Sequence, residues 1–138
     1  MTGQEIIEKV KALQLPQGEY IVFGSCPLAV AGLREANDVD MLVSKKLLKE
    51  LEQRCWQQIT KASDDKPFTH DVFEAHDAWD FDGYSRTLEQ LLATADIVDG
   101  IPFASLAEVR AWKEASGRPK DLKDIELIDT HTSIKTLN

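Results

Sequence analysis

Apolar residues recur along this chain at two periods, and the switches between them lay out an alternating series of helices and strands. Thr2-Gly3-Gln4-Glu5 has the form of a capping box, and Ile6, Ile7, Val10 and Leu13 follow at helical spacing. Pro16-Gln17-Gly18 breaks that pattern, and Tyr20-Ile21-Val22-Phe23 is a β-prone run ending at Gly24-Ser25. Cys26 to Gly32, with Pro27 in its first turn, predicts a short buried helix. Val39 to Val43 predicts a second strand, and Ser44 caps a helix that should run to about Lys61. Ser63-Asp64-Asp65-Lys66-Pro67 reads as a turn, and Phe68 to Phe73 as a third strand. The acidic, aromatic segment from His76 to Gly83 has no clear period and reads as a strand continuation or a loop. Ser85 to Ala95 fits a helix, and Ile97 to Phe103 a strand or tight hairpin.

Ser105-Leu106-Ala107-Glu108 is a second capping box, opening a helix that Gly117 terminates. Pro119 then starts a last helix whose apolar face is Leu122, Ile125, Leu127 and Ile128. From 131 the chain is polar, which predicts a frayed tail over 131–138 after a single domain over 1–130. The order β, α, β, α, β, then helices, predicts an α/β (α+β) domain with a mixed sheet of about 3–5 strands flanked by helices.

Composition narrows the functions open to such a domain. The chain has 138 residues, 43% hydrophobic and 29% charged, enough to form a core without a metal or disulfide staple. Its 24 Asp and Glu against 16 Lys and Arg give a net charge of −8, which argues against a general nucleic-acid or membrane-surface binder. A nucleotide reached through a local patch or a bound cation remains open. No apolar run approaches the roughly 20 residues that cross a bilayer, and the first residues lack the regions of a signal peptide. Cys26 and Cys55 match no zinc or redox spacing, so the expected setting is cytoplasmic. His70, His76 and His131 have no paired spacing and read as surface or packing residues. Trp56, Trp79 and Trp112 read as core or edge residues.

The candidate chemistry lies between Gly24 and Val43. Residues two apart on a strand face the same way, so Asp38 and Asp40 project together while Val39 faces the core. Two such carboxylates repel each other unless a cation lies between them, and they suit Mg²⁺, which takes one or two carboxylates plus substrate phosphates. Gly24 and Ser25, at a strand–helix junction, offer backbone N–H groups and a hydroxyl to an anionic phosphate. Asp-x-Asp alone is common as a solvated turn. The joint order is more specific: strand, Gly-Ser, short helix, Gly32-Leu33-Arg34, then Asp38-Val39-Asp40 entering an apolar strand.

In that order the chain resembles the nucleotidyltransferase-fold (polymerase-beta-like) superfamily, in the form found in small bacterial nucleotidyltransferases. The run from Ile101-Pro102-Phe103 through Lys113 to Arg118-Pro119-Lys120-Asp121-Leu122-Lys123-Asp124 is similar to that group's C-terminal helices, so the resemblance spans roughly residues 20 to 128. It implies a minimal nucleotidyltransferase fold and transfer of a nucleoside monophosphate from an NTP, ATP among them, with release of pyrophosphate. Asp38 and Asp40 would hold one or two Mg²⁺ ions. A third carboxylate, expected on a later strand, is assigned to Asp71, with Glu74, Asp77, Asp80 and Asp82 as competitors. Gly24, Ser25, Arg34 and Lys113 would bind the nucleotide. Arg118, Lys120, Asp121 and Asp124 read from their spacing as an ion-paired helix start, with Lys120 and Asp124 four apart on one face. The acceptor would be a hydroxyl on a small molecule, an RNA end or a protein. The short chain leaves its recognition to a homodimer or a partner protein. The competing reading is a nucleotide-binding or interaction module of the same fold, such as a toxin–antitoxin component.

Overall fold

The computed structural model describes residues 1–137. Helix α1 (Gly3–Ala12) opens on the expected capping box: Thr2 Oγ1 accepts the Glu5 N–H, and the Glu5 carboxylate accepts the Thr2 N–H. There follow β1 (Tyr20–Val22), α2 (Cys26–Val30), β2 (Val39–Val43), α3 (Lys45–Gln53), β3 (Gln57–Gln58), β4 (Phe68–His70) and β5 (Phe73–His76). A small hairpin, β6 (Asp80–Phe81) with β7 (Tyr84–Ser85), precedes α4 (Leu88–Ala93), β8 (Asp96–Val98), β9 (Ile101–Phe103), α5 (Leu106–Ser116) and α6 (Pro119–Leu137).

The molecule is a mixed α+β structure, as the pattern predicts, but its main sheet has seven strands, in the order β3-β4-β5-β2-β1-β9-β8. The additional strands come from two places. Helix α3 ends at Gln53 instead of near Lys61, because Cys55 takes a left-handed conformation (φ 69°) and Trp56 turns inward against Phe73. The freed chain forms edge strand β3. The run from Phe68 to Phe73 is two antiparallel strands and not one. Asp71 (φ 51°) and Val72 make a tight turn between His70 and Phe73, which face each other in register.

Strand alternation divides the core between the two sheet faces. Tyr20, Val22, Val39, Met41, Val43, Phe73 and Ala75 point to one face, where Ile6, Val10, Leu47 and Leu51 of α1 and α3 cover them. Each such fully buried side chain contributes roughly 1.5–3 kcal/mol. Ile21, Phe23 and Leu42 point to the other face, against Leu91 of α4, Val109 and Trp112 of α5 and Ile128 of α6. Asp40, Glu74 and His76 alternate with the first group and therefore lie on this second face.

Gly117 ends α5 in the left-handed conformation expected of it (φ 64°), and α6 begins at Pro119. Helix α6 runs on through 131–137, where polar composition predicts a frayed tail. Its middle is anchored by buried Ile128 and by Arg110, which donates twice to Asp129, so later turns extend an established helix. Asn138 lies outside the described residues. Among the described residues no helix is long and apolar enough to cross a membrane.

Candidate metal centre

Strands β2 and β5 run parallel with Asp40 opposite Glu74 and Leu42 opposite His76. Because the two strands share a register, their outward-alternating side chains stand side by side. One ligand atom from each of Asp40, Glu74 and His76 lies within 4.8 Å of the others. Asp38 sits immediately before β2 and lines the same cleft, which has a volume of about 1180 Å³. Its carboxyl is held above its ordinary value, by burial first and then by the charges of Asp40 and Glu74. Crowded carboxylates of this kind are deficient in positive charge, so the donor set fits a divalent cation.

Gly24 ends β1 at φ 65°, and a Cβ there would fall 2.6 Å from Asp40 Oδ2. The Phe23 N–H donates to the Asp40 carbonyl at 2.8 Å, which draws the two strands together at this point. The Gly-Ser junction is thus packed directly under the Asp-x-Asp strand. Ser25 Oγ accepts from Arg34 Nη2 at 2.6 Å, while the same guanidinium donates twice to Asp124, at 2.7 and 2.8 Å. Arg34 therefore links the Gly-Ser loop to α6.

Lys113, expected to meet phosphate, is 2% exposed and lies 2.9 Å from Asp124 and 3.4 Å from Asp121. Two carboxylates already answer its charge, so it belongs to a buried ion network at the wall of the cleft. Asp121 also receives Arg118, as the sequence pattern predicts. Asp124 pairs with Arg34 and Lys113 instead of Lys120. Burial alone would raise both carboxyls, yet their cationic partners hold both below their ordinary value. Lys120 and Lys123 are left exposed on the cleft rim, without an ion pair among the described residues.

Asp71 does not join the site. It occupies the β4–β5 turn, about half exposed, and pairs with Lys9 of α1 at 3.1 Å. The carboxylate that the fold sets beside Asp40 is Glu74, three residues on, because the turn at Asp71 starts a new strand whose alternation carries Glu74 to the cleft. Asp77 and Asp82 do not line the cleft, and Asp80 lies at its wall, where it accepts from Ser85.

Two further residues escape the pattern reading. His76 is 5% exposed; its Nδ1 lies 3.0 Å from Asp65 Oδ2 and its Nε2 3.2 Å from Glu74 Oε1. Burial pulls its pKa down, but Asp40, Asp65 and Glu74 together raise it above the ordinary value. The only sequence signal for it was its position two residues after Glu74 on one strand. Lys61, expected at the end of a helix, reaches from the β3–β4 hairpin to ion-pair with Glu74. The wall beyond His76 is aromatic: Trp79 meets it edge-on at 4.9 Å and Trp112 at 5.1 Å from Trp79, both buried. Set against known proteins, the chain matches no family model, no curated protein and no solved structure.

Proposed function

We propose that this protein is a divalent-metal-dependent nucleotidyltransferase, moving a nucleoside monophosphate from an NTP to a hydroxyl-bearing acceptor with release of pyrophosphate. The observation that carries the reading is the parallel register of β2 and β5, which sets Asp40 beside Glu74 with Asp38 at the same cleft. Asp38, Asp40 and Glu74 would hold Mg²⁺, which supplies neutralisation of phosphoryl charge and a more acidic acceptor hydroxyl.

The remaining work falls to side chains. Ser25 accepts from Arg34, so its own hydroxyl proton is left for a phosphate oxygen. Arg34 is fixed by Asp124 and keeps Ser25 in place. Lys120 and Lys123, exposed on the rim and without an ion pair among the described residues, take the charge of the departing pyrophosphate, in place of the nucleotide-binding role that the resemblance implied for Lys113. Glu74 takes the role expected of Asp71, as third ligand or as acceptor of the hydroxyl's proton. The unpaired thiols, Cys26 buried and Cys55 exposed, support a reducing, cytoplasmic setting.

The test is transfer of labelled α-phosphate from each NTP onto components of a cell extract with Mg²⁺ present. Asp40→Ala should lower transfer by more than about 100-fold while the circular dichroism spectrum is kept. Asp71→Ala, at the exposed turn, should transfer like the parent. Full activity in Asp40→Ala would overturn the reading. The labelled species identifies the acceptor as small molecule, RNA end or protein. The alternative, a nucleotide-binding or toxin–antitoxin-type module without turnover, draws on Lys61 already standing against Glu74. Nucleotide binding without transfer in the same assay would favour it.

A further inference from the structure

We infer that the metal centre is a mixed nitrogen–oxygen site, in which His76 Nε2 joins Asp40 and Glu74 as a ligand and Asp65 fixes the imidazole from behind. The inference deepens the proposed metal-dependent reading and rests on it, but it changes which ion the site is built for.

His76 is 95% buried by its 5% exposure, and its Nε2 has no hydrogen-bond partner. A buried polar nitrogen without a partner is destabilising, so a protein that retains one has a use for it. This nitrogen faces Glu74 Oε1 at 3.2 Å and Asp40 Oδ1 at 3.9 Å. Those separations bring one ring nitrogen and two carboxylate oxygens within reach of one small cation.

The other ring nitrogen explains the orientation. Asp65 Oδ2 lies 3.0 Å from Nδ1, and a carboxylate only accepts, so the proton on that side is the imidazole's. A carboxylate behind a histidine fixes ring and tautomer and raises the basicity of the far nitrogen, the usual support of a ligating imidazole. On ligation the proton of Nε2 leaves to solvent and its lone pair turns to the metal. Lys61 shows that a cation is drawn to this spot: its ammonium rests on Glu74 and must withdraw when a metal ion enters.

Imidazole changes the selectivity. Mg²⁺ prefers an all-oxygen shell and keeps its waters, whereas an imidazole nitrogen suits the later first-row dications, from Fe²⁺ to Zn²⁺. Two carboxylates and one imidazole leave positions open for a phosphate oxygen and water, as in catalytic rather than structural sites.

The experiment is calorimetric titration of the chelator-treated full chain with Co²⁺ and, separately, with Mg²⁺. His76→Asn should weaken Co²⁺ binding on the order of 100-fold and leave Mg²⁺ binding nearly as it was. Asp65→Asn should weaken Co²⁺ binding roughly tenfold through the imidazole. Co²⁺ binding that survives His76→Asn undiminished overturns the inference, as does a parallel loss of both ions. Nitrogen-15 NMR of histidine-labelled parent protein with Zn²⁺ keeps the test open if the variant does not fold. Metal-induced displacement of the His76 Nε2 resonance supports the inference, and an unmoved resonance overturns it. Neither readout uses nucleotide. Transfer with an unmoved Nε2 refutes only this inference, and a ligated Nε2 without transfer refutes only the proposed reaction.

Discussion

Gly24 shows how much of the centre depends on one residue's lack of a side chain. Its φ of 65° and the 2.6 Å separation of a hypothetical Cβ from Asp40 Oδ2 allow no L-residue without movement. Gly24→Ala should cost about 1–2 kcal/mol from the left-handed backbone alone. Displacement of Asp40 should weaken metal binding further. Thermal unfolding and metal titration together check this, and unchanged values in both would show that the loop relaxes freely. At this scale Asp38, Asp40, Gly24 and Ser25 were legible in the sequence, because alternation on a strand follows from spacing alone. Glu74 was not. Phe68-Thr69-His70-Asp71-Val72-Phe73 alternates like one strand, and only the left-handed Asp71 reveals two. His76 was equally hidden, since a lone histidine has no spacing to betray a ligand.

Among the elements, the β3–β4 hairpin is the one that propensity reasoning lost. Leu47 and Leu51 mark a helical stripe, but the next position on that stripe is exposed Cys55, so packing gives no reason to continue the helix. The hairpin that replaces it delivers Lys61 to Glu74 and Asp65 to His76 from the two sides of a single turn, closed by the Lys61 N–H on the Asp65 carbonyl. Lys61→Met removes a competitor for the Glu74 oxygen. It should tighten divalent-metal binding severalfold, a gain of about 0.5–1 kcal/mol for a partly exposed pair. Weaker binding in this variant would mean that Lys61 helps the metal instead of standing in for it.

The α5–α6 pair is held in a different way, by the ion network of Lys113, Arg118, Asp121 and Asp124. Both carboxyls have folded values below their ordinary 3.8. Their contribution is therefore complete above that value and is lost as pH falls through the lowered folded values. Stability measured by denaturant should drop on acidification below about pH 4, and Asp124→Ala, already costing about 3 kcal/mol or more, should drop less steeply. Equal slopes would remove Asp124 from the account.

The whole molecule carries a net charge of −8, and its cleft is lined by side chains of both signs. Acidic side chains of β2 and β5 converge in the cleft, and Lys120 and Lys123 lie exposed on its rim, so under the proposed function a polyphosphate with its cation would meet charge complementarity that the average composition conceals. The fold class could be inferred from periodicity. The seven-strand order could not, because it depends on β9 returning beside β1 and β5 beside β2, pairings that no local pattern encodes.

The bond from Arg34 to Asp124 spans 90 residues, and it holds Ser25 from a helix near the end of the chain. During synthesis the Gly-Ser loop and the Asp-x-Asp strand emerge early, yet the Arg34 guanidinium that holds the Ser25 hydroxyl has no carboxylate partner until α6 has been made and has docked. The final geometry of the loop is thereby tied to the formation of α6. A chain truncated before α6 would carry Asp38, Asp40 and Glu74 and still lack the Asp124 clamp on Arg34 that orders the Gly-Ser loop.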